Sequence, residues 1–187
     1  NLGWNREHLM RWSKRLALEE GKDSSEIVIE AANIGTLAHL LIETKIKQKA
    51  INLKEYPKDR LLIARNCFRG FCKWEKDWQP DEYITNEAKL VSEKYKYGGM
   101  VDLVARKKSE YHLLDCKTTN STHPEMLIQL AAYKHMYEET TGTNLKSCNI
   151  IKLEKNTPTY TLYTATDKQM EDGWKLFKCL LVINSLK

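Results

Sequence analysis

Two segments of this chain, Met100 to Ala105 and Tyr111 to Cys116, are rich in Val, Leu and Tyr, and only the polar run Arg106-Lys107-Lys108-Ser109-Glu110 separates them. That pattern leaves little choice of local structure: it predicts a tight antiparallel β-hairpin. A turn centred on Lys108-Ser109 puts Lys107 opposite Glu110 and Asp102 opposite Asp115. Directly opposed residues have Cβ atoms roughly 4.5–5.5 Å apart, where like charges repel unless a cation lies between them. A divalent metal is the economical explanation for two such acids. Strand side chains alternate, so Asp115 and Lys117 project to one side and Cys116 to the other. Lys108-Ser109 lacks the Asn or Gly that two-residue turns favour, so a bulge or longer loop would shift this register. The competing reading is a solvated face of strand-end acids paired with lysines. Acids are depleted from strands, and the apolar neighbours of Asp102 and Asp115 argue against it.

Gly99-x-x-Asp102, a spacer, and then Asp115-x-Lys117-Thr118 resembles the PD-(D/E)XK nuclease superfamily, most closely its RecB-type exonuclease branch of phage and recombination enzymes. Two further matches lie outside the hairpin: Gly35-Thr36-Leu37-Ala38-His39 is similar to the branch's Gly-x-x-x-His helix, and Gln129-Leu130-Ala131-Ala132-Tyr133 to its Gln-x-x-x-Tyr helix. The resemblance spans about residues 30 to 135. Val101 stands where the superfamily's nominal Pro would be, and Asp115 replaces the more frequent Glu; both variants occur in this branch. The resemblance implies an α/β fold with a restriction-endonuclease-like core of αβββαβ order, a mixed central sheet flanked by helices, and an N-terminal helical layer. It implies Mg²⁺ or Mn²⁺, one or two ions, held by Asp102, Asp115, the Cys116 backbone carbonyl and His39. Imidazole suits Mn²⁺ better than Mg²⁺. Lys117 would sit beside the attacking water, and Gln129 and Tyr133, one helical turn apart, would contact nucleic acid or position catalytic groups.

The chain of 187 residues is expected to be a single domain over residues 1–187, mostly helical to residue 80 and sheet-based from 81. Hydrophobic residues at 42% and charged ones at 29% are ordinary for a soluble globular protein, which argues against disorder. No apolar run approaches the roughly 18 residues of a membrane span, and the first residues are polar and basic, so the expectation is a soluble intracellular protein, cytoplasmic or organellar. Asn1 is not an initiator Met, which reads as trimming or processing. A net charge of +5 is compatible with a polyanionic partner, DNA in this reading, without proving one. Five cysteines at scattered spacings without a Cys-x-x-Cys pair make structural zinc and a disulfide framework unlikely candidates. Relatives of the branch that hold an iron–sulfur cluster place three cysteines near the C-terminus; only Cys148 and Cys179 lie late here, so no cluster is expected.

Along the chain, Asn5 to Glu20 predicts an amphipathic basic helix with Leu9, Trp12, Leu16 and Ala17 on one face. A second helix runs from about Glu26 to Ala50 with a break near Asn33-Ile34-Gly35. A third follows Pro57 and ends at Trp78 before Gln79-Pro80-Asp81. Strands are expected at Tyr83–Ser92, Tyr95–Ala105 and up to Lys117. A helix from Pro124 to Thr141 is stopped by Gly142. A last strand pair surrounds Asn156-Thr157-Pro158, and Asp167 caps a C-terminal helix.

Several residues stand as secondary site candidates. Glu43 is one turn from His39 and could supplement it or simply pair with Lys45 or Lys47. Glu87 precedes the hairpin on a strand whose parity the sequence leaves open. Arg65, Arg69 and Lys73 form a basic stripe on the third helix that could track a phosphate backbone or be a solvated face. Trp4 and Trp12 could stack bases, although helical spacing favours core packing. The expected activity is metal-dependent DNA hydrolysis at ends or single strands. The alternatives are a catalytically silent nucleic-acid-binding or assembly subunit, and a structure-specific endonuclease of the same fold. A protein partner or homo-oligomer is left open, as is the role of Lys117 as base or charge stabiliser.

Overall fold

The computed structural model describes residues 24–119, 121 and 123–186. The expected basic helix at Asn5–Glu20, with Trp4 and Trp12, lies outside the described residues. The elements are α1 (Ser24–Ile46), a short 3₁₀ turn (Leu53–Glu55), α2 (Lys58–Trp78), β1 (Glu82–Ser92), β2 (Tyr97–Lys107), β3 (Glu110–Lys117), α3 (Pro124–Thr141), β4 (Ser147–Leu153), β5 (Tyr160–Thr164) and α4 (Asp167–Ser185). The helix, three strands, helix and strand of the expected core are present in that order, with β5 and α4 after them.

One sheet contains all five strands in the order β1-β2-β3-β4-β5. The first three form an antiparallel meander, β4 joins β3 in parallel after the α3 crossover, and β5 returns antiparallel to β4. The sheet is therefore mixed, and β3 and β4 are buried without alternation over residues 113–116 and 148–151 because both faces are covered there. On one face Leu37, Leu41, Leu61, Phe71 and Trp74 of α1 and α2 pack on Leu103, Ala105, Leu114 and Cys116. On the other, Ile128, Ala131 and Met136 of α3 and Trp174 and Phe177 of α4 pack on Val101, Val104 and Leu113. The α2 stripe is a plain consequence of period: its buried residues Leu61, Ala64, Cys67, Phe71 and Trp74 recur every three or four positions.

The hairpin has the register read from sequence: Lys107 pairs with Glu110, Arg106 with Tyr111 and Leu103 with Leu114. Its turn does without Asn or Gly. Lys108 and Ser109 both take positive φ, 49° and 65°, as a primed two-residue turn requires. The Lys108 N–H donates to the Asp81 carboxylate at 2.7 Å, a tie from outside the hairpin that helps hold the conformation.

Three local expectations are corrected. The helix through Asn33-Ile34-Gly35 is unbroken. Gly35 serves approach rather than interruption, since a Cβ there would stand 3.2 Å from Thr118 Oγ1. That helix also ends at Ile46 rather than Ala50, with Gln48 in the left-handed region at φ 51°. The C-terminal helix is capped by Thr166, not Asp167, through a capping box in which Thr166 and Gln169 satisfy each other's backbone N–H groups. The Pro57 and Gly142 boundaries hold, Gly142 taking φ 69° as the helix stop. No helix among the described residues is long and apolar enough to cross a membrane.

Candidate active site

The β2–β3 ladder pairs through Leu103↔Leu114 and carries no further pair toward Asp102 and Asp115. The strands part there, and the Asp102 side chain fills the breach: its Oδ2 accepts the Cys116 backbone N–H at 2.9 Å. A second irregularity coincides with it. Val101 packs against α3 and α4, whereas Leu103, two residues on, packs against α1 and α2. Strict alternation would put both on one face, so the chain slips its parity at Asp102. Opposite, on β1, Glu87 has φ 53°, a conformation a non-glycine residue seldom adopts. The ladder runs through Asn86↔Leu103 and Ala88↔Val101 on either side of it. Twisting both strands at one level turns Glu87 and Asp102 toward α1.

There they meet His39. Its Nδ1 lies 3.2 Å from Glu87 Oε1 and 3.8 Å from Asp102 Oδ2, and its Nε2 lies 3.1 Å from the Cys116 carbonyl oxygen. Carboxylate and carbonyl are both acceptors, so this setting favours protonation of both ring nitrogens. Burial opposes that charge, but the hydrogen bond to Glu87 and the charges of Asp102 and Glu87 outweigh it and raise the His39 pKa.

Asp115 and Lys117 share a side of β3 as alternation requires. Lys117 Nζ donates to Asp115 Oδ1 at 3.0 Å and stands 2.7 Å from Oδ2. It also donates to Gln129 Oε1 at 3.0 Å, and Gln129 Nε2 in turn donates to the Tyr133 hydroxyl at 2.9 Å. The helical pair is thus tied to the strand lysine in one chain of hydrogen bonds. Gly99 makes room for it: a Cβ there would fall 2.9 Å from Tyr133 Cε1. Asp115 is 2% exposed, and its Oδ2 accepts no hydrogen bond despite the nearby ammonium.

Burial, and then the charge of Asp115, push the Asp102 carboxyl above its ordinary range. Burial raises Asp115 too, with Lys117 pulling the other way. Burial alone would lower Lys117, yet the carboxylates of Asp115 and Asp102 hold its pKa above the ordinary lysine value. Lys117 is therefore an ammonium at neutral pH in this arrangement, suited to stabilising charge rather than removing a proton.

The donor set fits a hard divalent cation. His39, Glu87 and Asp102 each offer a ligand atom within 4.8 Å of the others. The Cys116 carbonyl lies beside the ring, and Asp115 Oδ2 makes no hydrogen bond and is met by the Lys117 ammonium at 2.7 Å.

Of the residues singled out from sequence, Asp102, Asp115, Cys116, Lys117, His39, Gln129 and Tyr133 come together, and Glu87 joins them more directly than its ambiguous parity suggested. Thr118 lies at the end of β3 against Gly35. Glu43 pairs with Lys47 and is not in the cluster. Arg65, Arg69 and Lys73 lie on the exposed face of α2, away from its buried stripe.

No family model matches the chain, and no curated protein sequence matches it. Among solved structures, the fold is similar to the crystal structure of a "Putative exonuclease" from Eubacterium rectale, with a TM-score of 0.53 and 14% sequence identity. The match covers 80% of this chain and 64% of that one, so the chain spans less than two thirds of the neighbour's length. At that identity the likeness is one of fold.

Proposed function

We propose that this chain is a divalent-metal-dependent nuclease hydrolysing phosphodiester bonds in DNA, and that it works as an exonuclease of the RecB-type PD-(D/E)XK kind. The carrying observation is the convergence of Asp102, Asp115 and Lys117 from one hairpin with His39 from α1 and Glu87 from β1. The structural neighbour from Eubacterium rectale, described as an exonuclease, is in keeping with this reading.

A phosphodiester repels nucleophiles through its own negative charge, so hydrolysis needs positive charge at phosphorus and an activated water. A divalent ion held by Asp102, Asp115, Glu87, the Cys116 carbonyl and His39 supplies both when bound. His39 would have to lose its Nδ1 proton to serve as a ligand, and Glu87 and Asp102, which favour that proton, would make ion binding weaken as pH falls. Lys117, anchored by Asp115 and Gln129, places a fixed ammonium where charge develops on the phosphate. Gln129 sets the Tyr133 hydroxyl: by donating to its oxygen it leaves the phenol proton free to donate outward to a phosphate oxygen.

The test is cleavage of single-stranded and duplex DNA, end-labelled and offered linear or circular, with Mn²⁺, Mg²⁺ or chelator. Metal-dependent loss of linear substrate with circles spared is expected, and Asp102→Ala, Asp115→Ala and Lys117→Ala should each lower the rate at least a hundredfold. Cut circles would redirect the reading to an endonuclease. Binding without cleavage under any metal would favour the silent subunit.

A further inference from the structure

Beyond Asp102, β1 and β2 continue as a two-stranded arm to the turn between Ser92 and Tyr97, and among the described residues this arm is dressed on one side only. Leu90, Tyr95 and Tyr97 pack into the cluster built by α3 and α4, where Tyr97 meets Phe177 and Tyr95 meets Trp174 edge-on. The arm is also tied to α3: Ser92 Oγ and the Lys94 N–H donate to Glu139, and the Tyr97 hydroxyl donates to the Ala132 carbonyl. It is a rigid shelf.

The other side lies exposed among the described residues. Lys89 pairs with Met100 and Val91 with Gly98 across the arm, so alternation turns these four residues away from α3. A Cβ on Gly98 would meet the Val91 side chain at 3.6 Å, which puts both on that face. Val91 is 55% exposed and Met100 41%. Among the described residues, the α1 and α2 layer packs on this side of the sheet over Tyr83, Leu103 and Ala105, and the shelf adjoins Glu87 and Asp102 along the same two strands.

We infer that this shelf of Lys89, Val91, Gly98 and Met100 holds an unpaired nucleotide of single-stranded nucleic acid, next to the phosphate at Asp102; the inference rests on the nuclease reading and names its substrate class. Three observations select that occupant. Met100 is two residues from Asp102 on the same strand, about 6.7 Å of rise, so whatever lies on it adjoins the reacting phosphate. Met100 and Val91 offer apolar surface, which base faces can use only when they are not stacked in a duplex. Lys89, directly across from Met100, supplies a cation for one backbone phosphate, and no acid shares the four-residue face. Gly98 keeps the floor flat between them. A duplex presents phosphates and groove edges instead, and a floor meant for it would carry a row of cations.

The test is fluorescence anisotropy with labelled oligothymidine and, separately, a blunt duplex of equal length, in EDTA so that nothing is cut. The variants are Val91→Ala/Met100→Ala and Lys89→Ala. The double variant should bind oligothymidine roughly tenfold more weakly and the duplex as before. Lys89→Ala should flatten the salt dependence of oligothymidine binding by about one phosphate contact. All the substituted side chains lie on the exposed face, and melting checks that the fold is kept. Unchanged oligothymidine affinity in both variants overturns the inference, as does an equal loss for duplex. A change in sedimentation of Val91→Glu/Met100→Glu relative to wild type would make the face an interface between copies of the chain and also overturn it. Wild-type protein that cleaves with metal while the variants bind normally fails this inference alone. Wild type inert with every metal fails the nuclease reading instead.

Discussion

At the scale of single residues, the site is a place where the fold holds like charges together. Burial raises the carboxyls of both Asp102 and Asp115 above their ordinary pKa, and the charge of Asp115 adds to the rise at Asp102. A raised folded-state pKa contributes stability that is fully present below the ordinary value of 3.8 and is lost as pH climbs through the raised one. The metal-free protein should therefore be destabilised by this pair as pH rises toward neutrality. Asp102→Asn should melt above wild type in EDTA, by an increment that grows from pH 4 to pH 8, while losing Mn²⁺ binding by calorimetry. Saturating Mn²⁺ should reverse the order of the two midpoints. A variant that melts below wild type at every pH would mean that the Cys116 N–H bond to Asp102, not charge repulsion, dominates. Part of this was legible in advance: alternation alone puts Asp115 and Lys117 on one side of β3, whereas Asp102 meets them where β2 parts from β3 and slips its parity. Glu87 was not. Its side of β1 depends on a positive φ and on a register shift between Tyr83 and Thr85, and neither leaves a signature in residue type.

At the scale of elements, the β2–β3 hairpin decides the geometry, and its turn is locally unfavourable. Lys108 and Ser109 both occupy the left-handed region, which costs ordinary residues roughly 1 kcal/mol each. The compensation comes from outside, in the Asp81 bond to the Lys108 N–H and the Lys107 contacts to Trp78, whose carbonyl accepts from Nζ and whose ring lies beneath it. Replacing the turn by Lys108→Asn/Ser109→Gly should raise stability by about 1 kcal/mol in denaturant titration. Cleavage should be unchanged, because register and site stay as they are. Loss of activity with gained stability would show that strain in the turn is transmitted to Asp102. The helix boundaries teach a related lesson. Pro57 and Gly142 mark ends because a missing N–H and a left-handed residue act locally. Gly35 was misread as a break because its purpose, close approach to Thr118, lies 83 residues away in sequence.

At the scale of the whole molecule, two apolar layers sandwich the sheet, and thiols are built into both. Burial pushes Cys67 to about 11, on the α2 side, and Cys148 to about 12, on the other. Their folded values lie above the ordinary 9.0, so their contribution is intact below pH 9 and disappears as pH rises through the folded values. Above pH 8, where the Asp102 effect is complete, thermal midpoints should hold steady to about pH 9 and fall beyond it, with a shallower alkaline slope in Cys148→Ala; an unchanged slope would assign the decline to other groups. The sequence by itself determined the order of elements, the hairpin pairs from Lys107↔Glu110 to Leu103↔Leu114 and the side shared by Asp115 and Lys117, because period-2 and period-3.6 spacing are properties of the local backbone, while Gln129 and Tyr133 were assigned to the site by resemblance alone. Only the tertiary structure decided the parting of β2 from β3, the parity slip at Asp102, the approach of Glu87 to His39 and the exposed shelf beside them. Those follow from how far each layer extends over a twisted sheet, a balance of packing between residues distant in the chain that no local pattern encodes.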